Sequence, residues 1–96
     1  MKAISIKQPY ANQIISGEKT VEYRSWTTKH RGDLLICASK SPEIDGLPVG
    51  KSICIAELWR IELSANGEDF KWHLRNIRPV RQIPVRGMPG LFNVDI

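Results

Sequence analysis

Residues 9–26 read Pro9-Tyr10-Ala11-Asn12-Gln13-Ile14-Ile15-Ser16-Gly17-Glu18-Lys19-Thr20-Val21-Glu22-Tyr23-Arg24-Ser25-Trp26, a short helix that hands the chain directly to a charged strand. Pro9 suits the first helical position, because its missing N–H would have had no partner there. Tyr10, Ala11, Ile14 and Ile15 recur at helical spacing, and Gly17 supplies a left-handed stop. So short a helix is marginal alone and must be held by packing. From Thr20 the period changes to two. A strand over Thr20–Trp26 puts Thr20, Glu22, Arg24 and Trp26 on one face and Val21 and Tyr23 on the other. One face is apolar, and the opposite one carries an acid, a guanidinium and an indole, with the Lys19 ammonium at its entrance. That set suits an anionic, planar ligand such as a nucleotide.

Upstream, Ala3–Lys7 alternates as a short strand with Ile4 and Ile6 on one side, and Gln8-Pro9 ends it. Downstream, Thr27–Asp33 is a polar turn, and Leu34–Ser39 is a nearly continuous apolar run that reads as a central strand. Pro42, Gly46, Pro48 and Gly50 make a loop of Lys40–Lys51. Ser52–Leu63 is the longest strand candidate. Asn66-Gly67 marks a turn, and a short helical turn is expected around Glu68–Leu74. Val80, Gln82, Ile83 and Val85 alternate again, with Pro79 and Pro84 placing that segment at a sheet edge or beside a bulge. Gly87 and Gly90 permit a tight turn before a last strand over Leu91–Val94. Several short strands with one helix predict an α+β domain, a small closed or partly open β-barrel with helical decoration. No G-x-G-x-x-G is present and no second long helix, which excludes a dinucleotide-binding α/β fold.

The chain has 96 residues, enough for one domain over 1–96 with a single modest core, and its 42% hydrophobic content supplies that core. No stretch approaches the roughly 20 apolar residues of a membrane span. The start has no long apolar stretch of the kind that signals secretion, so a cytoplasmic protein is expected. Cys37 and Cys54 sit inside apolar runs and read as reduced core thiols. Together with His30 and His73 they lack any zinc-ligand spacing, so neither a metal nor another cofactor is expected. The net charge of +4 is uneven: residues 1–31 carry +4, residues 33–69 carry −4, and residues 70–96 carry +4. Two basic lobes folded onto one face would attract a polyanion.

Lys19, Glu22 and Arg24 each have a chemical role available. Arg24 offers a planar fork matched to phosphate or a base edge, and being always charged it is no base. Glu22, between two cations, stays ionised and can accept a base N–H. Tyr10 and Trp26 offer stacking faces for unpaired bases. Ser39 and Lys40, at the end of an apolar strand, can bring a hydroxyl and an ammonium to a cleft rim. Arg75, Arg78, Arg81 and Arg86 recur at intervals of three to five residues and can line a phosphate track. Trp59 and Trp72 read as core or barrel-rim aromatics.

Three blocks carry a family resemblance: Ile4-Ser5-Ile6-Lys7-Gln8-Pro9-Tyr10-Ala11, then Gly17-x-Lys19-x-x-Glu22-x-Arg24-Ser25-Trp26, then Arg31-Gly32-x-Leu34-Leu35-Ile36-x-Ala38-Ser39-Lys40. Leu47-Pro48-x-Gly50, Arg78-Pro79-Val80 and Val85-Arg86-Gly87-x-x-Gly90-Leu91-Phe92 extend it over nearly the whole chain. In this order they resemble the activating signal cointegrator homology (ASCH) domain, of the PUA-like superfamily. The resemblance implies a small, mainly antiparallel PUA-like β-barrel with one short N-terminal helix and at most one or two further helical turns. It implies binding of RNA, single-stranded nucleic acid or a modified nucleoside or nucleotide in a cleft whose motif charges map onto Lys19, Glu22 and Arg24. Some family members are hydrolases, either ribonucleases or amidohydrolases of acetylcytidine, and in this chain that alternative rests on Lys19 and Glu22. The amidohydrolase branch carries a threonine at the position of Glu22 and a second glutamate on a helical insert, for which Glu68 is the nearest match by position.

Overall fold

The computed structural model describes residues 1–96 and contains six strands and one helix. In chain order they are β1 (Lys2–Ile6), α1 (Tyr10–Ser16), β2 (Val21–Arg24), β3 (Gly32–Ala38), β4 (Lys51–Leu63), β5 (Phe70–Pro79) and β6 (Phe92–Asn93). All six strands belong to one sheet in the order β2-β5-β4-β3-β1-β6. The expectation of a mainly antiparallel barrel is met in part: four of the five strand pairings are antiparallel. β1 and β3 run parallel, which makes the sheet mixed, and β2 and β6 are its two edges, so the barrel is only partly closed. The parallel pair follows from the crossover: β1 leads into α1 and the chain returns to the sheet at its far edge before β3 comes back beside β1.

Register shifts curl the sheet. Between Ile36/Cys37 on β3 the partner jumps from Cys54 to Ser52, leaving Ile53 as an extra residue on β4. Along β4 and β5, Leu58 faces Leu74 while Arg60 faces His73, and Glu57 faces Arg75 while Ile55 faces Arg78. Each extra residue bends its strand and adds local twist. Within the last of these, Asn76 adopts φ 52°, a left-handed conformation that Asn tolerates better than most residues.

The concave side holds the main core. Ile4, Ile6, Leu34, Ile36, Leu58, Trp72 and Leu74 meet Ala11 and Ile14 of α1 there. The helix begins after Pro9 and stops at Gly17, whose φ of 87° and N–H bond to the Ile14 carbonyl form the expected left-handed cap. Buried Gln8 secures its start. The Gln8 side chain accepts from the Asn12 N–H (3.0 Å) and donates to Asn12 Oδ1 and to the Pro48 carbonyl, both at 2.8 Å. Trp72 is fully buried. Trp59 instead stands outside, with the Arg75 guanidinium 5.0 Å from its ring centroid.

A smaller cluster lies on the reverse of β1 and β3, where Ala3, Leu35 and Cys37 are covered by Val85 and Phe92 from the C-terminal segment. That segment is pinned by Ser52, whose hydroxyl donates to the Arg81 carbonyl (2.8 Å) and accepts from the Ile83 N–H (3.0 Å). Between Pro79 and β6 it makes one isolated bridge, Lys51 with Pro84, and otherwise runs outside the ladders. Prolines at 79 and 84 remove ladder donors there. Cys37 and Cys54 are free and buried, and burial pushes their thiols up to about 11 and about 12. No helix is long and apolar enough to cross a membrane.

The expected helical turn at Glu68–Leu74 is strand from Phe70 onward. β5 and its neighbours carry exposed ion pairs: Arg75 with Glu57, Arg78 with Asp33, and His73 and Arg60 with Glu62. Hydrogen bonds from Arg78, Arg75 and His73 hold the Asp33, Glu57 and Glu62 carboxyls, respectively, below their usual range. A carboxyl lowered by folding adds stability that is complete above its unfolded value, about 4, and is lost as pH falls through the lowered one. The small difference in thermal midpoint between wild type and Glu57→Gln at pH 7 is therefore expected to shrink as pH falls below about 4. A gap that stays constant or widens as the solution is acidified below that point would contradict this.

Candidate functional site

Helix α1 delivers the chain to β2 through a turn fixed at both ends: Lys19 N–H donates to the Gln13 carbonyl (2.9 Å), and Leu74 N–H donates to the Thr20 carbonyl (2.9 Å). β2 then pairs with β5, with Glu22 opposite Trp72 and Arg24 opposite Phe70. Residues directly opposite in a ladder share a face, so Glu22 points to the concave side with Trp72. It is 9% exposed. Tyr23, on the apolar face of the strand, points outward and is 53% exposed. The charged face of β2 is thus the inner one.

Two cations make that burial tolerable. Lys19 Nζ lies 3.2 Å from Glu22 Oε1, while Arg24 reaches Oε2 through Nη2 (2.8 Å) and Nε (3.2 Å). Both carboxylate oxygens are therefore paired, as a buried charge requires. Arg24 Nη2 also donates to the Ser5 carbonyl at 2.8 Å. β2 and β1 are separated in the sheet by three strands, so this guanidinium spans the open side of the half-barrel from one wall to the other. Polar side chains close the seam that ladder hydrogen bonds leave open.

The cavity at this seam measures about 440 Å³, and Lys19, Glu22, Arg24, Tyr10 and Ser39 all line it. The volume lies within the range of roughly 300–1,000 Å³ typical of small-molecule sites. Lys19 Nζ sits 5.5 Å from the Tyr10 ring centroid and 5.7 Å from that of Tyr23, within cation–π range of both. Lys7, Tyr23 and the Met88–Gly90 segment complete the wall. These were not marked by sequence; Lys7 carried a signal, as a lysine closing the strand that leads into the helix.

The remaining sequence candidates fall elsewhere. Trp26 turns into the core, its ring 4.8 Å from Trp72 in a T-shaped contact, and its carbonyl accepts from Trp72 Nε1 (3.2 Å). It offers no stacking face to the cavity. Lys40 lines a neighbouring cavity rather than this one. The arginine series is dispersed: Arg75 and Arg78 are paired on the outer face, and Arg86 joins the cavity of Lys40. Glu68 sits in the β4–β5 turn, its N–H bonded to Asn66 Oδ1, and lines neither cavity. His30 donates toward the Asp33 carbonyl and His73 contacts Glu62, both apart from the buried thiols.

A family model described as "ASCH domain" matches residues 4–87. Over 36 residues, 38% of this chain, the sequence is 50% identical to "Activating signal cointegrator 1" of Homo sapiens, and that stretch spans only 6% of the human protein. The fold is similar to the crystal structure of ASCH from Zymomonas mobilis, with a TM-score of 0.75, 21% identity, and coverage of 98% of this chain and 87% of that one. A mutant of the same Zymomonas mobilis protein gives a TM-score of 0.74 at 21% identity, with 98% and 89% covered. At that identity the likeness is one of fold.

Proposed function

The chain belongs to the ASCH domain family, and from that premise we propose that its seam cavity binds one nucleotide of RNA or of another single-stranded nucleic acid. The observation that carries this reading is the convergence of Lys19, Glu22 and Arg24 beside the Tyr10 and Tyr23 rings in one cavity. Arg24 spends Nε and Nη2 on Glu22 and Ser5, which leaves Nη1 for a ligand oxygen. Lys19 keeps donors beyond its contact with Glu22, and Lys7 adds a second ammonium at the rim. These groups suit a phosphate. Glu22 Oε2 is filled by the two Arg24 bonds, but Oε1, paired with Lys19 alone, retains a lone pair that can accept an amino or ring N–H of a base. Tyr10, half exposed, presents a face for stacking.

Fluorescence anisotropy with short single-stranded RNA tests the proposal. Lys19→Ala and Lys7→Ala are each expected to weaken binding by about tenfold, equivalent to ~1.4 kcal/mol, with the circular dichroism of the folded protein retained. Raising salt from 50 to 200 mM should weaken wild-type binding, and less so in each variant, since each lost phosphate contact flattens the salt slope by about 0.7. Affinity indifferent to salt and to both substitutions would reject the site.

The 3.2 Å contact between Lys19 and Glu22 is also within proton-transfer reach, which supports a small hydrolase as the second reading. Incubation with acetylcytidine and with short RNA, followed by chromatography, distinguishes it. Product formed by wild type and absent in Lys19→Ala would establish turnover, and intact substrate in both would leave binding alone.

A further inference from the structure

We propose that the groove has two subsites, the second taking the adjoining nucleotide, so that the ligand is a strand segment of at least two nucleotides rather than a free nucleotide. This extends the nucleotide reading of the seam cavity and rests on it. A second cavity of about 430 Å³, almost the same size, lies beside the first. Ser5, Ser39, Met88 and Pro89 line both, so the two spaces share a border.

The charge of the second cavity distinguishes it from the seam cavity and from the arginines of the outer face. Lys40 and Arg86 line it, no acidic side chain does, and neither cation is held in an ion pair. Arg75 and Arg78, by contrast, are already neutralised by Glu57 and Asp33. Two unopposed cations next to a partly neutralised triad suit the backbone of a polyanion, with base reading left to the side that holds Glu22. Val85 and Met88 add apolar surface for a sugar or base.

Two glycines build these walls. Gly50 has φ 64°, and its N–H bonds to the Ala38 carbonyl (2.8 Å) while its carbonyl accepts from the Val85 N–H (2.9 Å). A Cβ there would stand 3.1 Å from Lys40 Cγ, so the missing side chain lets the lysine stem lie against the backbone. Gly87 approaches β1 so closely that a Cβ would lie 2.6 Å from Ser5 Oγ. That hydroxyl is buried without a hydrogen-bond partner, directly under the segment that borders both cavities. Ser39 also borders both spaces, and its hydroxyl is a donor for a linking phosphate.

The experiment compares the four ribonucleoside 5′-monophosphates with the corresponding phosphorylated homodinucleotides by calorimetry on the whole protein. Wild type is expected to bind the preferred dinucleotide at least about tenfold more tightly than its mononucleotide. Lys40→Ala/Arg86→Ala removes two exposed side chains, and should abolish that advantage while leaving mononucleotide affinity unchanged. Gly50→Ala, which disturbs only the lysine stem and its backbone, should reduce the advantage in part. Equal affinity for both ligand lengths, a ratio unchanged in the double variant, or tripolyphosphate competing as well as the dinucleotide would each overturn the second subsite. Mononucleotide binding that survives intact in Lys19→Ala would instead overturn the seam site itself, so the two failures are told apart.

Discussion

Glu22→Ala is expected to lower the thermal midpoint by about 10–20 °C and to make the folded protein responsive to inorganic phosphate. Glu22 sits on the inner face of β2 and is the shared partner of Lys19 and Arg24, whose side chains are only 18% and 25% exposed. Removing the carboxylate leaves two like charges facing each other with little water to screen them. Losing the bonds of a charged group costs about 1.5–3 kcal/mol, and leaving partly buried charges unpaired pushes the figure toward the 3–5 kcal/mol of broken buried pairs. For a domain of this length each kcal/mol is worth about 4–8 °C. Phosphate would occupy the vacated position and restore part of the loss by mass action. Differential scanning calorimetry with and without phosphate measures both effects. A midpoint within about 2 °C of wild type, or a variant no more responsive to phosphate than wild type, would mean that the triad is a solvated surface cluster after all. Glu22→Gln, which keeps the shape and one acceptor, should fall between the two.

Trp72→Ala is expected to cost about 3–5 kcal/mol, the range for emptying a buried aromatic site. Against a total stability of about 5–15 kcal/mol for a domain, that leaves a marginal or unfolded chain. The indole is fully buried, packs edge-on to Trp26 and donates to the Trp26 carbonyl. It also stands opposite Glu22 in the β2–β5 ladder, so the cavity would open beneath the carboxylate. Trp72→Phe keeps most of the volume and loses the N–H bond, for which a loss of about 1 kcal/mol is expected. Chemical denaturation of the three proteins reads these differences directly. Equal midpoints for wild type and Trp72→Ala would show that the concave core does not hold β2 in place, and with it the orientation of the triad.

The helix and β2 were legible because their signals are local. Pro9, the apolar spacing and Gly17 act within three turns of chain, and alternation alone sets Glu22 and Arg24 on one face. β5 was harder to read. Phe70 and Leu74 stand four apart, which suits a helix, while Phe70, Trp72 and Leu74 also alternate as a strand; the residue added at Asn76 then breaks the alternation. Trp26 was misplaced for a related reason. The pattern puts it in phase with Glu22, but β2 ends at Arg24 and the chain turns the indole onto Trp72.

The chain's local chemistry determined one helix, the strand that follows it, the grouping of Glu22 and Arg24 on one face of that strand with Lys19 just before it, and the family to which they belong. Tertiary structure decided which way the charged face looks. That choice depends on Trp72 across the ladder and on the Ser5 carbonyl across the open side of the sheet, contacts that bring together residues far apart in sequence. An edge strand with one apolar and one charged face can bury either, and it buries the charged one here because Lys19 and Arg24 satisfy both oxygens of the acid between them.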